Sequence, residues 1–392
     1  MNFSRAYAEI NRKNVISNIE VLRRFAVNCE ICLVVKADAY GHGAINIASV
    51  AQDCGVKTLG VATVSEGIEL RDSGIQAEIL LLSEPDPESL VEAVRHGLTP
   101  TVTSTVGMNK LRDCAVAFGE LIKNDLMVET EVIPIHIKVE TGMHRSGAQE
   151  ETAFQLVKQV EVEQRFKLKG VWSHLACADE RNNAANSLQI NRFKNFVKLL
   201  KFKDRNSVKL HIANTAGLMM FKEAHFDMAR SGIGVYGYYP SQVVKEQVTF
   251  AGNNSYGCLK PVLELKAKVR KVSMVKHGEG ISYGHQFIAD RDMEIATIPI
   301  GYADGIPRSL GRNGSSYFVI INNNPCKITG VVTMDHLMVD VTGLNVRPDD
   351  DVILIGRSKD CKIDAQDIAD EIGTIHYEVL TRIGQRVQRI VV

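Results

Sequence analysis

One lysine in this chain lies where an amine could act as a nucleophile. The segment V-V-K-A-D-A-Y-G-H-G, residues 34–43, places Lys36 at the end of an apolar run and follows it with a tyrosine and two glycines. A lysine amine must lose its proton before it can attack an aldehyde, and burial at a strand end favours the neutral form. Taken alone, the segment also fits a lysine at a rim whose ammonium group reaches solvent.

Other polar residues follow further apolar runs in the first 235 residues, among them Lys138, His174, Asn214 and Arg230. The runs cover residues 31–36, 59–63, 79–83, 98–102, 135–140, 170–174, 210–214 and 227–233. Most are β-rich, several are too apolar for a strand with one solvent-exposed face, and helix-compatible segments separate them. This alternation predicts a (β/α)₈ TIM-type barrel, whose active site lies where the carboxyl ends of the strands meet. The polar strand ends therefore favour an enzyme.

Two of the intervening segments show apolar stripes at helical spacing. The stripes consist of Val15, Ile19 and Leu22 in the first segment and of Leu188, Phe193, Phe196 and Leu200 in the second. We expect both stripes to be buried against the barrel.

The sequence pattern changes after about residue 240. Alternating segments such as M-E-I-A-T-I-P-I and H-L-M-V-D-V-T-G, separated by Gly, Asn and Asp turns, predict a mainly antiparallel β domain. A length of 392 residues suits two domains. We expect a barrel domain over residues 1–240 and a C-terminal β domain over 241–392, with the first ten or so residues packing with the β domain.

Composition favours a small-molecule partner over nucleic acid or a membrane. The 46 basic and 46 acidic side chains cancel, so there is no global positive field to recruit polyanions. The N-terminus lacks the apolar core of a signal peptide, and no stretch approaches the roughly 20 apolar residues of a membrane span. We expect a cytoplasmic protein.

Cys29-x-x-Cys32 has redox or zinc spacing but no matching second pair, so we expect reduced thiols and no metal.

The lysine segment closely resembles the cofactor-lysine motif of bacterial-type alanine racemases, and further segments resemble other motifs of this family in the same order. They are I-K-V-E-T-G-M-H-R-S-G (137–147), S-H-L-A-C-A-D-E (173–180), H-I-A-N-T-A-G (211–217), R-S-G-I-G-V-Y-G (230–237), I-S-Y-G (281–284), G-Y-A-D-G-I-P-R (301–308), T-M-D-H (333–336) and H-Y-E-V-L (376–380). The resemblance implies a fold-type III enzyme that binds pyridoxal 5′-phosphate covalently through Lys36.

The resemblance also implies which residues hold the cofactor. Backbone amides of Gly232 and Ile233 would bind the phosphate, as would side-chain hydroxyls. The remaining implied cofactor residues are Tyr40, Thr215 and Tyr377 for the phosphate, with His174, Asn214 and Arg230 nearby. The resemblance implies that Arg230 faces the pyridine nitrogen, where an arginine can only donate, whereas an acidic partner would keep that nitrogen protonated. Arg230 therefore favours simple reprotonation of the α-carbon over transamination.

Racemisation needs a base on each face of the α-carbon. The resemblance implies Lys36 for one face and Tyr283, supplied by the other subunit of a homodimer with shared active sites, for the second. Arg145, Met334 and Asp335 are the implied substrate-binding residues, and Asp179, Tyr302 and Arg308 line the implied entrance. Lys138 corresponds to a lysine that many relatives carry in carbamylated form, and an unmodified Lys138 remains the alternative.

Two positions depart from the family pattern. Val331 replaces an arginine at the substrate corridor, and the C-terminal ending reads R-V-Q-R, with Gln388 in place of a proline. Tyr377 constricts the family's pocket, so the interconversion of L- and D-alanine, supplying peptidoglycan, is the first expectation. Serine or broader specificity stays open because the entrance charge is missing. Two other classes of pyridoxal-phosphate protein resemble this chain less well. Related decarboxylases use an acidic partner for the cofactor ring, where this chain has Arg230. Non-catalytic pyridoxal-phosphate proteins lack the second domain that this chain is predicted to have.

Overall fold

The computed structural model describes residues 5–123, 132–250, 256–311 and 315–392. It divides into two compact units. The barrel unit comprises Val15–Ala39 and Ala44–Lys260, and the β unit comprises the described residues of Met1–Asn14, Tyr40–Gly43 and Pro261–Val392. The sequence boundary near residue 240 stays a prediction.

The described strands are β1 Ala6–Ile10, β2 Glu30–Val34, β3 Thr58–Val61, β4 Glu78–Leu81, β5 Thr101–Val102, β6 Ile133–Lys138, β7 Phe166–Trp172, β8 Lys209–His211, β9 Met228–Ser231, β10 Leu263–Lys268, β11 Lys271–Val275, β12 Gly280–Ile281, β13 Phe287–Ile288, β14 Met293–Ile298, β15 Phe318–Ile321, β16 Asn324–Lys327, β17 Leu337–Asp340, β18 Asp351–Arg357, β19 Lys362–Ile363 and β20 Gln388–Val391. The helices are α1 Arg12–Phe25, α2 Lys36–Gly41, α3 Ala44–Asp53, α4 Val64–Asp72, α5 Leu90–Arg95, α6 Thr105–Lys123, α7 Glu150–Val162, α8 Ala184–Leu199, α9 Thr215–Met220, α10 Gln242–Phe250, α11 Ala365–Ile372 and α12 His376–Thr381.

The barrel unit is built from parallel strands. Strands β4-β3-β2-β9 form one run and β5-β6-β7-β8 another. One seam closes where Leu81 N donates to Thr99 O at 2.9 Å, and the other where Arg230 N donates to Ala213 O at 2.9 Å. Helices α3 to α9 connect successive strands, so the predicted (β/α)₈ barrel is confirmed.

The helical stripes are confirmed in one segment and partly wrong in the other. Val15, Ile19 and Leu22 of α1 are fully buried, as expected. In α8, however, Leu188 is 50% exposed. It lies five positions before the buried Phe193, a spacing that turns its side chain to another face of the helix. The polar Gln189 occupies the buried position instead.

The β unit is mainly antiparallel. Its largest sheet has the order β16-β15-β18-β10-β1-β20, with β19 paired to β18, and smaller sheets join β11-β14-β17 and β12-β13. Strand β1, from the first residues of the chain, pairs antiparallel with β10 and parallel with β20. Among the described residues no helix is long and apolar enough to cross a membrane, and no group of His, Cys, Asp or Glu side chains is placed to hold a metal ion. All eight cysteines are free thiols.

Candidate active site

Lys36 begins an unusual backbone turn directly after β2. Val35 N still donates to Gly60 O of β3, at 2.8 Å, as if the strand continued. The next four residues, Ala37 to Tyr40, then all have φ between 52° and 54°. α2 is therefore left-handed, a conformation that costs roughly 1–2 kcal/mol for each non-glycine residue. Such strain is typical of functional sites and must be held by surrounding contacts.

Two carboxylates hold the ends of this left-handed turn. Glu66 of α4 accepts from Ala37 N at 2.7 Å, and Asp38 accepts from Ala44 N at 2.7 Å. Glu66 also caps its own helix by accepting from the amides of Ala62 and Thr63. One acidic side chain thus connects the start of α4 to the residue after Lys36.

The environment of Lys36 favours its neutral amine. Burial lowers the pKa of Lys36, and the positive charges of Arg145 and Arg230 lower it further, whereas Glu66 opposes the shift. This is the direction expected for an amine that must act as a nucleophile or base.

Arg230 on β9 is only 3% exposed and lies opposite Cys32 of β2. Its guanidinium donates to His211 Nδ1 at 2.7 Å, to His174 Nδ1 at 3.0 Å and to Ser173 O at 2.8 Å. It also lies over the Trp172 ring, 4.4 Å from the centroid. The described polar contacts of this buried cation are thus neutral acceptors.

The two histidines that accept from Arg230 must be uncharged. A guanidinium has no acceptor, so each Nδ1 must offer a lone pair. Burial and the Arg230 charge hold the pKa values of His174 and His211 well below their usual range. Burial also lowers the pKa of Arg230 to about 10, which leaves it cationic at neutral pH.

Lys138, at the end of β6, is a second buried amine in the barrel unit. Its Nζ donates to Ser146 Oγ at 2.5 Å and lies 4.5 Å from the Trp172 ring centroid. Burial, then Arg145 and Arg230, lower the pKa of Lys138 to about 8, although Glu140 opposes them. Arg145 itself is exposed.

These cations make the carboxyl end of the barrel unit strongly electropositive. Lys36, Lys138, Arg145 and Arg230 act electrostatically on one another, so the structure brings four of the sequence-predicted residues together. Like charges are costly where they are buried, as for Lys138 and Arg230, unless a counter-charge compensates them. The arrangement is suited to an anionic ligand.

A small polar cradle follows β9. Gly232 N donates to Thr215 Oγ1 at 3.1 Å, and Thr215 Oγ1 lies 3.2 Å from Ser231 Oγ. A Cβ at Gly234 would lie 2.8 Å from the Thr215 methyl, so glycine is needed there for close packing. Gly232 and Ile233 are buried beside this hydroxyl.

Asn214 and Asp179 have structural contacts of their own in the barrel unit. Asn214 is the N-cap of α9, where its side chain accepts from Gly217 N at 2.9 Å. The backbone oxygen of Asp179 accepts from Ser241 Oγ at 3.0 Å. Their sequence-predicted roles at the cofactor and entrance stay predictions.

In the β unit, Tyr40 and Tyr377 lie together. Their ring centroids are 6.1 Å apart. Burial raises the pKa of Tyr40 to about 12, so its hydroxyl stays protonated and can donate. The adjacent Gly41 has a φ of 81°, and a Cβ there would lie 2.2 Å from Leu380 O of α12.

Tyr283 projects from a tight turn between β12 and β13. Its side chain is 73% exposed, and the neighbouring Ser282, Gly284 and His285 all have positive φ. Ser282 Oγ donates to Val331 O at 2.6 Å, which fixes the turn. Val331 is itself 1% exposed.

Met334 and Asp335 lie on a loop held by arginines. Met334 is 53% exposed, and its carbonyl accepts from Ala303 N at 3.0 Å. Asp335 accepts from Arg386 at 2.7 Å, and this hydrogen bond lowers the pKa of Asp335. Arg5 donates to the Asp335 carbonyl at 2.9 Å. The Asp335 carboxylate therefore supports the loop, whatever its contact with substrate.

The two remaining entrance candidates, Tyr302 and Arg308, are exposed on the β unit. Tyr302 N donates to Thr333 O at 3.0 Å, which connects it to the Met334 loop.

Sequence reasoning missed several polar residues that support the barrel site. Gln189 accepts from Ala176 N at 2.8 Å and donates to His174 O at 2.9 Å, which holds the loop carrying His174. His136 and His211 were not singled out, although His211 opens the motif at 211–217 and His136 lies in the apolar run 135–140. His136 precedes Lys138 by two residues, so strand periodicity places both on the same face. This periodicity is visible in the sequence and could have identified His136.

Comparison with known proteins matches both parts of the chain. Residues 10–240 match the family model "Alanine racemase, N-terminal domain", and residues 262–391 match "Alanine racemase, C-terminal domain". An alanine racemase of Clostridium novyi is 38% identical over 387 residues, covering 98% of this chain and 94% of the relative. One of Carboxydothermus hydrogenoformans is 37% identical over 392 residues, with 98% and 99% coverage.

Solved structures agree over the whole chain. An alanine racemase of Clostridium difficile has a TM-score of 0.89 at 32% identity and covers 100% of this chain and 97% of its own. One from Bacillus anthracis with bound L-Ala-P has a TM-score of 0.85 at 31% identity, with 100% and 96% coverage. With both family models matched in order and relatives aligned over nearly its full length, the chain belongs to the alanine racemase family.

Proposed function

We propose that this protein interconverts L- and D-alanine with pyridoxal 5′-phosphate held on Lys36. The observation that carries the proposal is Arg230. It is a buried cation whose described side-chain partners are neutral histidines, and the family resemblance sets it against the nitrogen of the cofactor ring. Such a group can donate a hydrogen bond to the cofactor ring but cannot receive its proton. That chemistry favours racemisation over transamination.

The residues present fit this cofactor. The electropositive strand ends offer counter-charges for its anionic groups, and the Thr215 hydroxyl of the cradle can donate to a phosphate. The Gly232 amide donates to Thr215 Oγ1 in this structure, so it would serve the phosphate in place of that hydroxyl. We propose that Ile233, Tyr40 and Tyr377 complete the phosphate site. His174 and Asn214 would support it from α9 and the β7 end. When bound, pyridoxal phosphate withdraws electrons from the amino acid's α-carbon and makes its hydrogen acidic.

Proton movement falls to two bases. The lowered pKa of Lys36 supports a neutral amine that takes or returns the α-hydrogen on one face. We propose Tyr283, presented on its strained turn, as the base for the opposite face, acting in the partner subunit of a homodimer. An exposed tyrosine on a rigid turn is suited to reach a neighbouring subunit.

Substrate carboxylate binding is proposed for Arg145 and the Met334 amide, with Asp335 holding the Met334 loop through Arg386. Asp179, Tyr302 and Arg308 are proposed for the entrance. We propose alanine as the substrate, because Tyr377 restricts the pocket in the family. The buried Val331 adds no entrance charge, so serine is the first competitor to test.

Carbamylation is proposed for Lys138. Attack on carbon dioxide needs a neutral amine, and the pKa of Lys138, lowered by burial to about 8, leaves roughly one tenth of the amine neutral at pH 7. The resulting anion would offset the charge of Arg145. Mass spectrometry of the intact protein under native conditions would detect the added carboxylate, and its absence in a Lys138→Met variant would locate it.

The wider role rests on the family resemblance. We propose that the enzyme acts in the cytoplasm and supplies D-alanine for peptidoglycan. Its barrel domain is proposed to end near residue 240, in agreement with the family-model match to 10–240. Its partners are proposed to be a small amino acid and a second copy of itself, rather than nucleic acid or membrane.

The test is α-hydrogen exchange in deuterated water. We expect deuterium at the α-carbon of both alanine enantiomers with the native protein, and loss of exchange together with visible absorbance in Lys36→Ala. Tyr283→Phe should slow exchange from one enantiomer far more than from the other. Equal, mild losses in both directions would contradict a base role for Tyr283, and absence of exchange with the native protein would refute the racemase.

A further inference from the structure

A line of buried polar side chains runs from Arg230 towards the amino ends of the barrel strands. Arg230 donates to His211 Nδ1 at 2.7 Å, and His211 Nε2 lies 3.0 Å from His136 Nδ1. His136 Nε2 lies 3.8 Å from Glu78 Oε1. Glu78 is the first residue of β4, and its side chain is 34% exposed. The line therefore connects a buried cation to a carboxylate near solvent.

The chemistry of these groups allows one assignment of the protons. Arg230 can only donate, so His211 Nδ1 accepts and the single proton of neutral His211 lies on Nε2. His211 then donates to His136 Nδ1, which leaves the proton of neutral His136 on Nε2, facing Glu78. Burial lowers the pKa of His136 to about 3, so this ring is uncharged at neutral pH.

The Glu78 carboxylate accepts from neighbouring threonine hydroxyls. The hydroxyl of Thr99 donates to its Oε1 at 3.2 Å, and the hydroxyl of Thr58 lies 3.4 Å from its Oε2. These donors keep the carboxylate beside His136 Nε2, which is fully buried and has no hydrogen-bond partner among the described residues. At 3.8 Å the carboxylate acts on that N–H through its charge rather than through a normal hydrogen bond.

Two residues of β7, Gly170 and Trp172, pack against the imidazole rings of His136 and His211. A Cβ at Gly170 of β7 would lie 2.3 Å from His136 Cε1, so only glycine admits the imidazole in its present place. Trp172 stacks on His211, with ring centroids 5.6 Å apart and an angle of 8° between the planes. The same indole lies against Arg230 and donates to Thr101 Oγ1 at 3.2 Å. Both rings are therefore held by packing as well as by hydrogen bonds.

We propose that Glu78, His136 and His211 form a positioning relay that fixes the proton positions of both imidazoles and holds Arg230 as a hydrogen-bond donor. Its consequence for catalysis rests on the proposed role of Arg230 in the racemase. The reversed arrangement would set an N–H of His211 against an N–H of Arg230 inside the barrel, an unsatisfied contact that is costly when buried. The relay residues position Arg230 and do not themselves touch the reacting atoms.

The direct test is nitrogen NMR of the holoenzyme labelled with ring-¹⁵N histidine, with His136 and His211 assigned from single variants. We expect both to be neutral at about pH 7, with the proton on Nε2. A charged imidazolium, or an Nδ1–H form of His211, would overturn the relay. This readout does not depend on turnover. An inactive protein with the expected tautomers would refute the proposed function and support the relay, whereas an active racemase with other tautomers would overturn the relay alone.

Matched variants test the effect on activity. His136→Gln keeps an oxygen that can accept from His211 Nε2, whereas His136→Leu removes it. We expect His136→Leu to lower kcat roughly 10–100-fold with little change in KM, by analogy with the loss of partners that orient metal ligands. His136→Gln should restore most of kcat. His225→Leu, a half-buried histidine outside the relay, is the control and should leave kcat unchanged.

Glu78→Gln covers the case in which His136→Leu does not fold, because Glu78 lies at the partly exposed end. We expect Glu78→Gln to remain folded, to keep both imidazoles as Nε2–H because Arg230 still fixes them from the other end, and to shift the NMR resonance of His136 Nε2, which loses the neighbouring charge. An unchanged His136 Nε2 resonance together with unchanged kcat in Glu78→Gln would overturn the role of this carboxylate. Equal kcat in His136→Leu and His136→Gln would overturn the role of His136.

Discussion

Glu66→Gln is the most informative single substitution near Lys36, because one carboxylate there serves two structures. Its Oε1 accepts from Ala37 N at 2.7 Å. Its Oε2 accepts from Ala62 N at 2.7 Å and from Thr63 N at 3.1 Å. An amide offers one oxygen and one NH₂ group, so it cannot accept at both positions. The oxygen should stay with the two donors at the helix cap, which turns the NH₂ group towards Ala37.

The free-energy cost of Glu66→Gln depends on the strained turn that begins at Ala37. It is the first of four left-handed residues, each strained by roughly 1–2 kcal/mol. A hydrogen bond to a charged acceptor contributes about 1.5–3 kcal/mol, and an N–H facing another donor loses all of it. We therefore expect the turn after Lys36 to open more easily by about 2 kcal/mol, which is roughly a 30-fold larger opening constant.

Hydrogen exchange read by mass spectrometry measures this opening locally. Peptides covering residues 36–43 should exchange roughly 30-fold faster in Glu66→Gln, and peptides from the β unit sheet should not change. Glu69→Gln on the same helix is the matched control, because Glu69 is exposed and its side chain lies outside this cap. Exchange of residues 36–43 within twofold of the native rate in Glu66→Gln would refute the reasoning.

Three other substitutions test separate parts of the structure. The pKa of His136 is lowered to about 3, so between about pH 6.5 and 3 the unfolded chain binds more protons and stability falls as pH drops, by up to about 1.4 kcal/mol per pH unit. Urea unfolding at several pH values should show a shallower slope in His136→Gln, and parallel curves would contradict this. Arg386→Met should raise KM for alanine several-fold in steady-state assays, because Asp335 loses the 2.7 Å contact that holds the Met334 loop; an unchanged KM would count against that support. Gly41→Ala should lower the melting temperature much more than Gly278→Ala, since both have positive φ but only Gly41 would bring a Cβ within 2.2 Å of a backbone oxygen.

The barrel was predictable because its strands leave a local signal. Short apolar runs of β-branched residues, each ending in a polar residue, mark strands that are covered on both faces. This signal in the sequence therefore predicts that Lys138 and Arg230 lie at the carboxyl end of the barrel. The prediction that Leu188 is buried was wrong because the apolar stripe was assigned from hydrophobicity and approximate spacing. The buried position belongs to the polar Gln189, whose burial depends on hydrogen bonds to a distant loop.

The finer structure of the site depended on long-range contacts that no local pattern encodes. The left-handed turn after Lys36 is held by Glu66, nearly 30 residues later in the chain. The contact between His136 and His211 joins residues 75 positions apart. The residue types were visible in the motifs, but their pairing follows from barrel closure and strand register. The roles carried over from the family remain proposals for each residue.

The measurement that tests the central claim most directly follows optical activity while the purified holoenzyme acts on each alanine enantiomer separately. Enantiomers have equal free energies, so a racemase must bring both reactions to the same 1:1 mixture. We predict that L-alanine and D-alanine both converge on zero rotation, and that the Lys36→Ala variant leaves both unchanged. Stable rotation of either enantiomer with cofactor-loaded native protein would contradict the account.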